Sequence, residues 1–440
     1  MKKRLIAILL SFSVVLGLTG CGSEPREISR EGFESEEEPG EDGNRDVDLK
    51  INYDEPDEEH PEIVEKSILK RGINQFGFGV YDRLSKEENC FFSPYSLCSA
   101  LSLLDLGAGS STKEELESTL GIEDLDAWKW AMKDYLEKEW SKDTYLLTAN
   151  SVWMDENKEW SGNIEEDFIA PAKAYFKGEL KKKNFKEQDK VVSEVNEWVK
   201  DNTKGMIPQV LNKLSDDTKM LLINAVYFDG KWETPFLEED SRDDVFHGAK
   251  GDETVKMMNQ YGESYAYVSM DGIKGITLPY KDSSVVMKVF IPENEEDNIA
   301  DLMGALSNEE RQNLIDSLDQ AGRTEIRRLM FPRFEYEQEI KEMDRILKDM
   351  GIVSAYQENA DLDKIAEDLF VSTVIHKAKI EVDEQGTKAA AVTVIVANET
   401  ACIQEPVFID FIVDRPFFFV IEDTETGVIL FMGQINTLEN

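Results

Sequence analysis

Few side chains in this sequence have the types and spacing that catalysis needs. Three histidines are spread over 440 residues, little material for a metal centre or a catalytic cluster. His60 stands beside Glu58 and Glu59, but in an acidic stretch with no preorganised geometry, so no metal is assigned. The four cysteines show no zinc spacing. Apart from Cys21, an odd number remain, which argues against a disulfide network. Cys90 and Cys98 lie in apolar surroundings and are expected as buried thiols; Cys402 is expected near the surface. Gly107-Ala108-Gly109-Ser110 follows a helical pattern and is explained as its stop, not as a nucleotide loop. There is no Gly-x-Ser-x-Gly elbow and no phosphate loop. No enzyme activity and no cofactor are therefore expected. The net charge of -41 excludes a grip on nucleic acid, which needs clustered Lys and Arg.

Met1-Lys2-Lys3-Arg4 precedes an apolar run, Leu5 to Leu18, too short for a permanent membrane helix. It ends Leu18-Thr19-Gly20-Cys21. This resembles a bacterial lipobox, whose cysteine thiol receives a diacylglycerol and becomes the mature N-terminus; an ordinary cleaved signal is the alternative. Residues 1–20 are thus expected as a lipoprotein signal peptide and Cys21 as the lipidation site. The acyl chains would anchor the protein to the membrane on the extracellular face of a bacterial cell. Residues 21–66 are acidic and broken by glycine and proline, as in Glu36-Glu37-Glu38-Pro39-Gly40-Glu41-Asp42-Gly43. They are expected as a disordered tether.

From residue 67 to 440 the pattern is that of a folded domain. Ile73, Phe76, Gly77, Val80, Tyr81 and Leu84 recur at helical spacing. Phe91-Phe92 closes a short strand, Ser93 caps a helix and Pro94 takes its first position. The helix runs through Leu104 and stops near Gly107. Ser110 to Glu115 is expected to cap the next helix.

One stretch fits no ordinary role: Glu384-Gln385-Gly386-Thr387-Lys388-Ala389-Ala390-Ala391-Val392-Thr393-Val394-Ile395-Val396. Its alanines favour helix and its β-branched run favours strand. As a strand it puts Thr387, Ala389, Ala391 and Thr393 on one small, uncharged face and Lys388 on the other. That suits a segment able to slide between two strands; a plain surface strand is the other reading.

A family resemblance runs through the domain. Phe92-Ser93-Pro94-Tyr95-Ser96-Leu97 with Gly107-Ala108 is similar to the second-helix signature of the serpins, the serine protease inhibitor superfamily. Asn196-Glu197-Trp198-Val199 with Thr203-Lys204-Gly205 resembles the helix lying across their main sheet. Asn224-Ala225-Val226-Tyr227-Phe228 through Trp232-Glu233-Thr234-Pro235-Phe236 resembles their third strand of sheet A. Phe331-Pro332-Arg333-Phe334, Val374-Ile375-His376-Lys377-Ala378, Asp414-Arg415-Pro416-Phe417 and Leu430-Phe431-Met432-Gly433 follow in the family's order.

The resemblance implies an α+β serpin fold, with three β-sheets, about nine helices and an exposed reactive centre loop over about residues 384–405. It implies a monomeric inhibitor of serine endopeptidases that acts as a suicide substrate: the target protease forms a covalent acyl complex, and the cut loop inserts into the main sheet. Glu384, Gly386, Thr387, Ala389, Ala390 and Ala391 match the family's hinge, and Val392 is bulkier than usual there. Ser93, Ser96, Asn224 and His376 match the polar cluster called the shutter, an alternative to reading His376 and a serine as half a catalytic pair. Trp232 and Arg333, with Glu384, match the breach where insertion begins, and an ion pair between Arg333 and Glu384 is expected. Family spacing puts the reactive bond at Thr400-Ala401, with the neighbouring bonds as fallbacks. No Lys or Arg lies between Lys388 and Arg415, which disfavours trypsin-like targets and favours shallow-pocketed elastase-like or subtilisin-like ones. The competing readings are a non-inhibitory binding serpin, a cross-class inhibitor of cysteine proteases and a solute-binding lipoprotein.

Overall fold

Helix α1 (Ser67–Tyr81) opens the folded region of the computed structural model and buries Leu69, Ile73, Phe76, Val80 and Tyr81. The structure describes Pro61 and residues 67–156, 166–387 and 409–438, all within one compact unit of residues 46–440. The signal peptide, Cys21 and the tether apart from Pro61 lie outside the described residues.

Strand β1 (Cys90–Phe92) leads into helix α2 (Pro94–Leu106). Ser93 is its N-cap, accepting from the Ser96 N–H, and Pro94 holds the first turn. Helix α3 (Ser110–Leu120) departs from expectation: its cap is Gly109, with no side-chain cap bond. Ser110 instead donates to the Asp361 carboxylate at 2.5 Å. Glu115 accepts the backbone N–H groups of Val353 and Ser354 at 2.7 and 2.6 Å. A segment 239 residues away in sequence thus claims the carboxylate that a local capping box would use.

The remaining helices are α4 (Leu125–Leu136), α5 (Glu166–Phe176), α6 (Gln188–Asn202), α7 (Ile299–Ala305), α8 (Asn308–Gln320) and α9 (Met343–Asp349), giving nine among the described residues. None is long and apolar enough to cross a membrane. Strands β2 (Thr144–Asp155), β3 (Gly178–Lys183) and β4 (Met220–Lys231) belong to the six-stranded main sheet. So do β11 (Phe334–Glu339), β12 (Thr373–Asp383) and the two-residue β13 (Gly386–Thr387). The order is β11-β12-β13-β4-β2-β3. Along most of their length β12 and β4 pair directly, in parallel, over Thr373–Lys379 and Leu221–Tyr227.

The other strands are β5 (Arg242–Gly248), β6 (Gly251–Gln260), β7 (Glu263–Met270), β8 (Ile273–Pro279), β9 (Val285–Pro292), β10 (Arg323–Pro332), β14 (Ile409–Ile412), β15 (Phe417–Asp423) and β16 (Val428–Ile435). The expected second and third sheets run into one another because β7 changes partner. Residues 263–266 pair with β10 and residues 267–270 with β8. The principal core lies between α2 and these sheets, where Phe91 stacks on Phe431 at 5.3 Å. A second cluster lies under α6, whose Val191, Val195 and Val199 cover Leu221, Ile223 and Ile375 of the β4–β12 seam.

Within the principal core, Lys288 is fully buried and pairs with Glu422, also fully buried, at 2.8 Å and with Asp319 at 2.7 Å. Lys288→Met is expected to strand the Glu422 carboxylate and to destabilise the fold by about 3–5 kcal/mol. Lys288→Met/Glu422→Leu should recover most of that, as read by thermal melting of the three proteins.

Candidate functional site

The main sheet holds two polar sites on its central seam. The first is at mid-height. Ser93, Ser96, Asn224 and His376 come from the start of α2, from β4 and from β12, and all four are fully buried. The Ser93 N–H donates to His376 Nε2 at 3.1 Å. Nε2 therefore carries no proton, and Nδ1 donates to Asn224 Oδ1 at 2.6 Å. Asn224 Nδ2 donates to Ser96 Oγ at 2.6 Å, the Ser96 carbonyl at 3.0 Å and Asn150 Oδ1 at 2.7 Å. Ser93 Oγ donates to the Leu430 carbonyl at 2.6 Å. The imidazole is neutral: burial lowers its pKa to about 3. Among the described residues its partners are the Ser93 N–H and the Asn224 amide, with no carboxylate and no serine hydroxyl on the ring, so the geometry is that of a bridge between strands.

The second site is at the end of the seam where β4 and β12 diverge. Gly386 and Thr387 fill the gap as β13, antiparallel to both neighbours: Gly386 opposite Lys231 and Asp383, Thr387 opposite Gly230 and Val382. A side chain on residue 386 has no room, because a Cβ there would lie 2.1 Å from the Gly230 carbonyl oxygen. Thr387 is 1% exposed, and its hydroxyl shares a 2.7 Å hydrogen bond with Tyr280. The Tyr280 ring stacks on Trp232 at 4.7 Å and meets Phe228 edge-on at 4.9 Å. Burial pushes the Tyr280 phenol above its usual range.

Trp232 fastens the turn that precedes β13. Its indole N–H donates to the Asp383 carbonyl at 3.0 Å and its backbone N–H to the Gln385 carbonyl at 2.8 Å. The Asp383 carboxylate accepts from the N–H groups of Gln385 and Gly386 at 2.8 and 3.2 Å. Glu384 is buried, and its carboxylate lies 3.7 Å from Arg333 Nη1, whose side chain is half exposed. At that distance and exposure the pair adds little stability; the backbone bonds hold the turn.

Ala389, Ala390, Ala391, Thr393, Thr400, Ala401 and Cys402 lie outside the described residues. Cys90 and Cys98 are buried free thiols, and burial raises the Cys90 pKa to about 12. Tyr280 and Asn150 belong to these sites and escape sequence reading. Tyr280 is 107 residues from its partner Thr387, and only the strand register discloses the contact. Asn150 has a weak local signal, a polar pair with Ser151 inside an apolar strand, and it faces Asn224 across β2 and β4.

Residues 71–438 match the family model described as serpin (serine protease inhibitor). An uncharacterized serpin-like protein of Thermococcus kodakarensis is 32% identical over 379 residues, covering 84% of this chain and 86% of that protein. The intracellular coagulation inhibitor 1 of Tachypleus tridentatus is 32% identical, covering 83% of this chain and 88% of the inhibitor. Among solved structures, the native state of the thermophilic serpin tengpin superposes with a TM-score of 0.77 at 30% identity, covering 86% of this chain and 96% of tengpin.

The His376 bridge makes a pH prediction. Its folded pKa, about 3, lies below the ordinary value of about 6.5. Between those values the unfolded chain binds the extra proton, so this contribution is complete above pH 6.5 and is lost on acidification. In His376→Gln that loss is absent. The stability advantage of the parent over the variant should stay constant above pH 6.5 and shrink below it, by up to about 1.4 kcal/mol per pH unit. Paired melting curves from pH 8 to pH 4 read this.

Proposed function

The chain belongs to the serpins, and from that premise we propose that it inhibits serine endopeptidases of elastase-like or subtilisin-like preference by suicide-substrate loop insertion. The observation that carries this reading is β13. The segment entering the loop is already threaded for two residues between β4 and β12, with its small Thr387 side chain buried.

The chemistry is the protease's own. Its serine attacks the carbonyl of Thr400, the amine of Ala401 leaves, and Thr400 remains as an acyl ester on the enzyme. The freed strand then extends β13. Continuing the register of Gly386 and Thr387 residue by residue sets Thr393 opposite Asn224 on one side and His376 on the other. Those two residues are now direct partners, so the inserted strand takes the place of their contact. A threonine hydroxyl has one donor and two acceptor sites, enough to serve both. Full insertion of about twelve residues at about 3.4 Å each carries the acylated protease roughly 40 Å from where it first bound.

On this reading the native state is metastable, held by a barrier. Lipidated Cys21 and the acidic segment after it would display the domain on the outer face of a bacterial membrane.

Incubation with a panel of elastase-like, subtilisin-like and trypsin-like proteases is expected to give a complex that survives denaturing electrophoresis with the first two. The released peptide should begin at Ala401 by mass spectrometry. Clean cleavage without any complex would refute the inhibitory reading. Thr387→Arg would force a cation into the Tyr280 pocket, at a penalty of several kcal/mol if unpaired. It should convert the inhibitor into a substrate, cut at the same bond at a similar rate while the stable complex disappears.

A further inference from the structure

Just below β13 the outer face of the seam carries two facing acids. The parallel pairing of β12 and β4 ends at Lys379 and Tyr227, and β13 enters at Thr387, opposite Val382 and Gly230. Between these levels Ile380 and Glu381 of β12 face Phe228 and Asp229 of β4 across the seam, with no rung among the described residues. Ile380 and Phe228 point into the core, so Glu381 and Asp229 point outward, both half-buried. The row at their level runs Glu335, Glu381, gap, Asp229, Tyr145 from β11 to β2.

Asp229 is fixed by two phenols: its carboxylate accepts from Tyr145 at 2.8 Å and from Tyr227 at 3.2 Å. The Tyr227 phenol feels the negative field of both acids. Its pKa is raised first by burial, then by the charge of Asp229 and, less, by that of Glu381. The neighbouring cations are engaged elsewhere: Lys379 pairs with Glu335 at 2.6 Å, and Lys204 lies over the Tyr145 ring at 4.0 Å. Among the described residues Glu381 makes no ion pair.

We propose that Asp229 and Glu381 form a socket for the ammonium of Lys388, filled when the segment after Thr387 adds its first new residue to β13, and that this contact sets the register of insertion. The inference deepens the inhibitor reading above and rests on it. Lys388 lies outside the described residues. It follows Thr387 by one peptide bond, about 3.8 Å from Cα to Cα. Thr387 points inward to Tyr280, so a strand continuing it points residue 388 outward. The continued register sets Lys388 opposite Glu381 on one side and Asp229 on the other. Residues directly opposite share a face, with Cβ atoms about 4.5–5.5 Å apart. Lys388 is the sole cation between Asp383 and Arg415. A one-residue slip would turn its ammonium into the core. Either two-residue slip keeps the small face inward but sets Lys388 beside a lysine: against Lys379 and Tyr227 in one direction, against Lys231 and Asp383 in the other. Farther on, the outward residues Ala390 and Val392 would come opposite Lys379 and Lys377, where another cation would be repelled.

The test uses the full chain and an elastase-like protease, and it counts inhibitor molecules consumed per protease inactivated. Slow insertion gives water time to hydrolyse the acyl ester, which releases active protease and cut inhibitor. Lys388→Glu sets three acids side by side and should raise consumption about fivefold at low ionic strength. The excess should shrink at about 1 M salt, where charges are screened within about 3 Å. The reversal Lys388→Glu/Glu381→Lys should restore most of the parent's economy. Glu381→Gln, the milder change, guards against a folding defect and should show part of the loss. Thermal melting gives a second readout: the loop-cleaved parent should melt above loop-cleaved Lys388→Glu by more than the intact proteins differ. A Lys388→Glu protein that matches the parent in consumption and in cleaved-form melting, or a loss that the reversal leaves unrepaired, would overturn the socket alone. A parent that forms no stable complex would overturn the inhibitor reading, and equal melting of the two cleaved forms would then overturn the socket as well.

Discussion

The structure depends on one seam. β4 and β12 are neighbours in parallel over seven residue pairs, and β13 lies between them antiparallel to both. Each residue added to β13 exchanges one parallel rung for two antiparallel rungs. Antiparallel pairing is slightly the more stable per residue, and the number of ladders doubles. A sheet with such a seam has a lower-energy arrangement available whenever a free strand of the right width can reach it. The small face of the segment after Glu384 supplies the width.

What opposes the exchange is the cover over the seam and the bonds across it. Helix α6 and the segment after it bury the lower seam, where Ile375 and Ile223 meet the helix valines. Asn196 fixes that segment by accepting the Val210 and Leu211 N–H groups and donating to the Leu211 carbonyl. Lys377 of β12 ties it down by donating to the Gln209 carbonyl at 2.6 Å. These contacts must loosen before any new rung forms. Interactions that break early raise a barrier without deepening the final state, the pattern expected of a kinetically held fold.

Short-range signals were legible in the sequence where one turn of chain decides the outcome. Ser93 caps α2 because its partner, Ser96, is three residues on and Pro94 removes a competing donor. The same logic failed at Ser110, where Asp361 and the Val353-Ser354 backbone, some 240–250 residues away in sequence, take the polar groups first. Asn224 and His376 stand 152 residues apart, and no periodicity joins them; their pairing was visible only through the likeness of their flanking strands to a known family. Tyr280 had no such flank and went unseen, although it carries the hydrogen bond that seats Thr387. Sequence pattern thus reports faces and caps, whereas a seam between distant strands is a property of register.

The distribution of bonds at mid-height also decides which side of the seam is the movable one. Asn224 is held by Ser96 and Asn150 as well as by His376, so β4 stays fastened to α2 and β2 if the histidine leaves. Among the described residues His376 makes two side-chain bonds, to Asn224 and to the Ser93 N–H. If the seam parts as proposed, β12 is therefore the strand that slides, and both of its bridging bonds break together. The Ser93 N–H and Asn224 Oδ1 are then left without this partner in a buried place, at roughly 1–3 kcal/mol each until replaced. A leucine pair at this level would part with no such penalty to its neighbours' polar groups, and a charged pair would hold too firmly to release. A neutral histidine lies between these limits: it closes the sheet with two directional bonds and leaves as an uncharged ring.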